Sequence, residues 1–157
     1  MTKHRIEQRL SELGVVLPPV VLPVAEYVPA KQVDDLIYVS GQGPAIDGRF
    51  PYLGRVGADV TLEEGYESAR ICALNGLAAA RAVAGTLDRI AEVVHVRGFV
   101  NSAPDFHDQP RVINGASELL VSIFGERGRH ARAALGTSNL PGNIPVEIEF
   151  VFRMANP

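Results

Sequence analysis

Two stretches in the C-terminal third of this 157-residue chain carry side chains that can do chemistry. In the first, Arg132 is flanked by Ala131, Ala133 and Ala134. A guanidinium is a planar fork that grips a carboxylate at two points. The small flanks leave room for a ligand beside it; the competing reading is an Arg–Glu ion pair at a subunit interface. In the second, Glu147 and Glu149 alternate with Ile148 and Phe150, so both carboxylates face one way along a strand. Neighbouring carboxylates on one face suit general acid–base work, because their repulsion can raise one pKa. A solvated strand face is the other reading, and the default one for Glu149.

Further candidates are weaker. Ser40 and Gly41 end an apolar run, where a hydroxyl and an amide with no Cβ beside it can reach a substrate atom. An ordinary strand-to-loop turn would look the same. Tyr27 can close over a ligand or simply stand at a rim. His4, His95, His107 and His130 have no metal-ligand spacing, so no metal site is expected; His130 lies close enough to Arg132 to line the same cleft. Cys72, the single cysteine, sits in an apolar helical pattern and reads as a buried small hydrophobe. It permits no intrachain disulfide and is compatible with a reducing cytoplasm. No nucleotide-binding glycine loop or nucleophile elbow occurs.

The elements that must position these residues follow from periodicity. Ile6, Leu10 and Leu13 predict a short helix over 3–13 that stops at Gly14. A proline-rich connector follows. Strands are expected at 25–31 and 35–40, with Asp34-Asp35 as the hairpin turn and the second strand central. Thr61 and Glu64 form a capping box. It opens a helix to about Val83 whose stripe is Leu62, Tyr66, Ala69, Ala73, Leu77 and Ala80, ending at Gly85. Residues 92–101 read as a strand. A second helix is expected over 108–124, capped by Asp105, with Pro110 in its first turn and Gly125 as its stop. Its stripe is Val112, Ala116, Leu119, Leu120 and Ile123. Two final strands, 131–138 and 145–153, flank a turn at 139–143. Two long helices against a mixed sheet define an α+β plan.

Composition bounds the rest. Hydrophobic residues make up 46% of the chain and charged residues 21%, which allows a full core in one domain. The net charge of −3, with no run of five like charges, counts against a nucleic-acid groove. The charged start of the chain is unlike a signal peptide, and the apolar run from Val15 to Ala25 is short and broken by Pro18, Pro19 and Pro23. No membrane segment is expected.

Several of these stretches, in order, resemble the RidA/YjgF family. They are Ala25-Glu26-Tyr27, Val39-Ser40-Gly41-Gln42, Ala131-Arg132-Ala133, and Leu140-Pro141 followed by Val146-Glu147-Ile148-Glu149. The spacings from Tyr27 to Ser40 and from Arg132 to Glu147 agree with the family pattern. The resemblance covers roughly residues 25–154, so the chain divides into a leading helix and connector over 1–24 and one RidA-like domain over 25–157. It implies a chorismate-mutase-like fold, a homotrimer with sites between subunits, and no cofactor. The implied reaction is hydrolysis of enamines and imines of small carboxylates, such as 2-aminoacrylate, to a keto acid and ammonia in the cytoplasm. Arg132 would then bind the carboxylate and Glu147 would orient the attacking water. Tyr27, Ser40, Gly41 and Asn114 would line the site. Ala134 stands where several relatives have cysteine, a position whose backbone carbonyl is used.

The same arginine fits a second reading, a non-catalytic trimer that binds a small carboxylate and regulates a partner. Glu147 separates the two, since a binder has no need of it. A ribonuclease reading, attached to some relatives, has the acidic composition against it.

Overall fold

The computed structural model describes residues 5–156. The elements run α1 (Ile6–Glu12), β1 (Ala30–Val33), β2 (Leu36–Gln42), α2 (Leu62–Ala84), β3 (Ile90–Asn101), α3 (Gln109–Phe124), β4 (Ala131–Thr137) and β5 (Val146–Met154). The α+β expectation holds. One five-stranded sheet has the order β1-β2-β5-β3-β4. Only β3 and β4 are parallel; the other three pairs are antiparallel.

Each long helix forms for the reason its sequence advertises. Thr61 accepts from the Glu64 amide and the Glu64 carboxylate accepts from the Thr61 amide, so the capping box closes. Gly85, at φ 84°, ends α2 in a backbone region that other residues avoid. The α3 stripe of Val112, Ala116, Leu119, Leu120 and Ile123 is buried throughout. These helices cover one face of the sheet, where Ile37, Val39, Val96, Val146, Ile148, Phe150 and Phe152 form the core with them. Ile6 and Leu10 of α1 belong to the same core.

Four expectations need correction. The first strand begins at Ala30, not residue 25: Ala25 to Val28 lie between Pro23 and Pro29, and pair with no strand. The N-cap of α3 is Asp108 and not Asp105, and it makes no side-chain cap hydrogen bond. The strand β2 is central in being paired on both sides, as expected, but its nearly continuous apolar run is buried on one face only: Ile37 and Val39 are buried while Tyr38 is 48% exposed. The leading helix spans Ile6–Glu12; Lys3 and His4 lie outside the described residues.

The two long helices touch backbone to backbone at one point. A Cβ placed on Gly115 of α3 would lie 2.0 Å from the Tyr66 carbonyl oxygen of α2. Helix propensity alone favours Gly→Ala by about 1 kcal/mol, but a contact this short forces the helices apart, and overpacking costs about 1–3 kcal/mol or more. The steric cost wins. Gly115→Ala is expected to lower the urea midpoint; an unchanged or higher midpoint would mean that the helices separate freely.

Candidate functional site

The residues singled out in the sequence fall into two groups on opposite faces of the sheet. The first group surrounds Arg132. It pairs in register with Val96, which is fully buried on the helix side, so Arg132 also projects to that side, at the exposed edge of β4. There its Nη1 donates to Asn114 Oδ1 at 2.8 Å and to Ser117 Oγ at 3.2 Å, both on α3. Asn114 and Ser117 are three apart on a helix, hence neighbours on one face. Among the described residues Arg132 forms no ion pair, and only its Nη1 is engaged. The Nε–Nη2 side of the fork is left for another partner.

His130 stands behind this arrangement. Its Nδ1 lies 2.6 Å from the Gly128 carbonyl, and its Nε2 lies 2.9 Å from Ser117 Oγ. A carbonyl can only accept, so Nδ1 carries the proton and Nε2 accepts from the serine hydroxyl. Burial, and the Arg132 charge beside it, push the His130 pKa down, which favours this neutral form. The chain of donors runs Arg132 to Ser117 to His130 to Gly128. Ala134 follows on the same side of β4 opposite Gly98, half-buried against the core.

The second group surrounds Glu147. It faces away from the helices, across from Phe99. Between Val39 and Gln42, two residues of β2 oppose the single residue Glu149 of β5, so the chain bulges at Ser40-Gly41. The bulge leans Gly41 over the Glu147 carboxylate. A Cβ on Gly41 would sit 3.0 Å from Glu147 Cδ and 3.1 Å from its Oε2. A larger residue here would press on the Glu147 carboxylate and shift it. Tyr27, Gly41 and Glu147 line one pocket of about 320 Å³. Ser40 lines a neighbouring groove on the open sheet face with Tyr27 and Tyr38, and its hydroxyl donates to the Val28 carbonyl at 2.7 Å, tying down the connector.

The two glutamates differ. Glu149 is paired with Arg97 of β3 at 2.9 Å, so it is not the merely solvated group expected. Glu147 is half-buried and has no hydrogen-bond or ion-pair partner among the described residues. Burial first, and repulsion from Glu149 second, raise its pKa. Sequence reasoning missed Ser117, Arg97 and the pocket wall contributed by the connector. The spacing of Asn114 and Ser117 was the one available signal.

The mixed sheet with two long helices on one face defines an α+β class. Residues 7–153 match the family described as "YjgF/chorismate mutase-like, putative endoribonuclease". The chain belongs to that family, and its fold is chorismate-mutase-like. It is 40% identical to Protein TCP17 of Trypanosoma cruzi over 153 residues, which span 97% of this chain and 96% of that one. Among solved structures it is similar to protein Atu1372 of Agrobacterium tumefaciens, with 44% identity and a TM-score of 0.87, covering 96% of this chain and 92% of that one. A protein of Shewanella oneidensis described as a "putative endoribonuclease" is 34% identical with a TM-score of 0.91, covering 95% of this chain and 99% of its own. Among the described residues no helix is long and apolar enough to cross a membrane.

The raised pKa of Glu147 has a stability consequence. A carboxyl whose folded pKa lies above its unfolded value adds stability when protonated, and that contribution is lost as pH rises through the folded pKa. At neutral pH the ionised group therefore weakens the fold. Glu147→Gln is expected to raise Tm at pH 7.5, and the gain should shrink as pH falls toward about 4. Scanning calorimetry at both pH values checks this; a variant that is less stable at pH 7.5 would mean the carboxylate has a favourable partner.

Proposed function

We propose that the protein is a cofactor-free deaminase that hydrolyses imines and enamines of small carboxylates to a keto acid and ammonia. The observation that carries this reading is the condition of its two charged groups. One is an exposed arginine whose Nε–Nη2 side is uncommitted, and the other is a half-buried carboxylate without a partner among the described residues.

The substrate carboxylate lies on the free side of the Arg132 fork, which Asn114 and Ser117 hold in plane. A water bonded to Glu147 attacks the imine carbon, and its proton passes to the carboxylate. The raised pKa suits that exchange, since the same group must then return a proton to the nitrogen. The C–N bond of the carbinolamine breaks, ammonia leaves, and the new C=O completes the keto acid. Tyr27 and the backbone at Gly41 bound the pocket on the Glu147 side. Ser40 acts through the connector it holds, and Ala134 offers its carbonyl beside Arg132. Such intermediates arise in the cytoplasm from pyridoxal-phosphate enzymes, and the protein would act there.

One subunit does not bring the two charged groups together. Between the positions of Arg132 and Glu147 lie two strand spacings, about 10 Å, and three residues along the strand, about 10 Å, on opposite faces. A site using both takes Arg132 from one subunit and Glu147 from another. This supports an oligomer with sites between subunits; the homotrimer that the family resemblance implies fits it, and light scattering should then return three times the chain mass.

The test is a semicarbazide-trapped assay on imines made by an amino-acid oxidase. Glu147→Gln is nearly isosteric and should lower hydrolysis above the spontaneous rate by about 10²–10⁴-fold, with little change in affinity for 2-oxobutanoate. Arg132→Lys keeps the charge but loses the two-point grip, worth about 1.5–3 kcal/mol. Its affinity for 2-oxobutanoate in calorimetric titration should fall by about one to two orders of magnitude. A wild type that never exceeds the spontaneous rate, yet binds 2-oxobutanoate, would favour the regulatory binding protein instead.

A further inference from the structure

The pocket over Glu147 is larger and more apolar than a three-carbon substrate needs. Glu147 is the only charged residue among those that line it. Its outer wall is Val21, Leu22, Pro23 and Val24 of the connector, and Phe50 and Ile144 complete the apolar lining. Ile144 is buried at the base, whereas the outer side chains face solvent to an unusual degree: Leu22 is 77% exposed, Val24 fully exposed and Phe50 41% exposed. Exposed apolar groups gathered about one carboxylate mark a ligand site more than a random surface.

The wall is held in place from both ends. Upstream, Val15, Leu17 and Val20 pack against the core. Downstream, the Ser40 hydroxyl bonds the Val28 carbonyl. Pro18, Pro19, Pro23 and Pro29 restrict the backbone on either side of the wall, and the chain bends over residues 24–27, where the Tyr27 amide donates to the Ala25 carbonyl at 2.9 Å. The floor is fixed too: buried Asn75 donates to the Gly43 and Ala45 carbonyls, both at 3.0 Å, where the chain leaves the bulge. A preformed apolar wall needs no ordering cost when a ligand arrives.

We infer that the connector forms a specificity subsite beside Glu147 for a bulky apolar side chain. It makes the preferred substrates 2-imino acids with branched aliphatic or aromatic side chains, in preference to 2-aminoacrylate. This rests on the deaminase reading for the chemistry, but the subsite is detectable by binding alone. Each methylene buried in such a pocket strengthens binding roughly fourfold. The 2-oxo acid products carry the same side chains and serve as stable probes.

The experiment titrates the full chain calorimetrically with pyruvate, 2-oxobutanoate, 4-methyl-2-oxopentanoate and phenylpyruvate. In parallel it measures trapped turnover of the imines derived from alanine, leucine and phenylalanine. Affinity is expected to climb along the series, by at least tenfold from pyruvate to 4-methyl-2-oxopentanoate. Leu22→Ala and Phe50→Ala, both at exposed positions that the core does not need, should reduce that ratio severalfold. Equal affinity across the series in the wild type would overturn the subsite, as would an unchanged ratio in both variants, which would mean that another surface or a neighbouring subunit receives the side chain. Turnover without preference overturns the subsite and leaves the deaminase reading standing. A preference in binding without any turnover supports the subsite and sinks the deaminase reading. If none of the four acids binds and no imine is turned over above the spontaneous rate, both fall.

Discussion

The two sides of the strand Val146–Met154 are so unlike that it can sit in only one register. Val146, Ile148, Phe150, Phe152 and Met154 are all buried, while Glu147, Glu149, Val151 and Arg153 alternate with them on the other side. A slip of one residue would bury two carboxylates and a guanidinium and expose two phenylalanines. The strand is also the middle of the sheet, paired with β2 on one side and β3 on the other. Its register therefore sets both neighbours. It puts Glu149 across from Arg97, which pairs with it, and leaves Glu147 half-buried with no such partner among the described residues.

The bulge in β2 and the free edge of β4 complete the arrangement. Without the extra residue at Ser40-Gly41, the strand would run flat past Glu147 and the glycine would not lie over the carboxylate. At the other end of the sheet, α3 supplies Asn114 and Ser117 to hold one nitrogen of Arg132, and His130 holds Ser117. A guanidinium fixed at one nitrogen has its remaining fork aimed, so little freedom is lost when a carboxylate binds. The Arg132 and Glu147 clusters are each well organised and lie on opposite faces of one sheet. That separation is the strongest physical reason to expect a second copy of the chain at each site.

Much of this was legible in the sequence. The Thr61–Glu64 box, the apolar stripes and the alternation along β5 are local patterns, and the structure follows them. The resemblance carried by Arg132, Glu147, Ser40 and Gly41 led to the family. What was not legible depends on neighbours distant in the chain. The Arg97–Glu149 pair needs the β3–β5 register, which two irregularities near Ile90 and Val93 shift before it reaches Arg97. The false start of the first strand came from β-prone Tyr27 and Val28, which find no partner strand between two prolines. The connector read as a spacer because its apolar residues have no periodicity; only the folded chain brings Leu22 and Val24 to the rim above Glu147.

The central claim is that Arg132 and Glu147 act together across a subunit boundary. It is tested by co-expressing Arg132→Ala and Glu147→Gln chains and measuring imine hydrolysis by the mixed assembly. Each variant alone should be nearly inactive. If every site draws its arginine and glutamate from different subunits, random mixing of equal amounts restores about one quarter of the sites. Hydrolysis should then return to about that fraction of the wild-type rate. If the mixture stays as inactive as the separate variants, while its chains are shown to exchange, the two residues serve the same subunit or no common site, and the account is wrong.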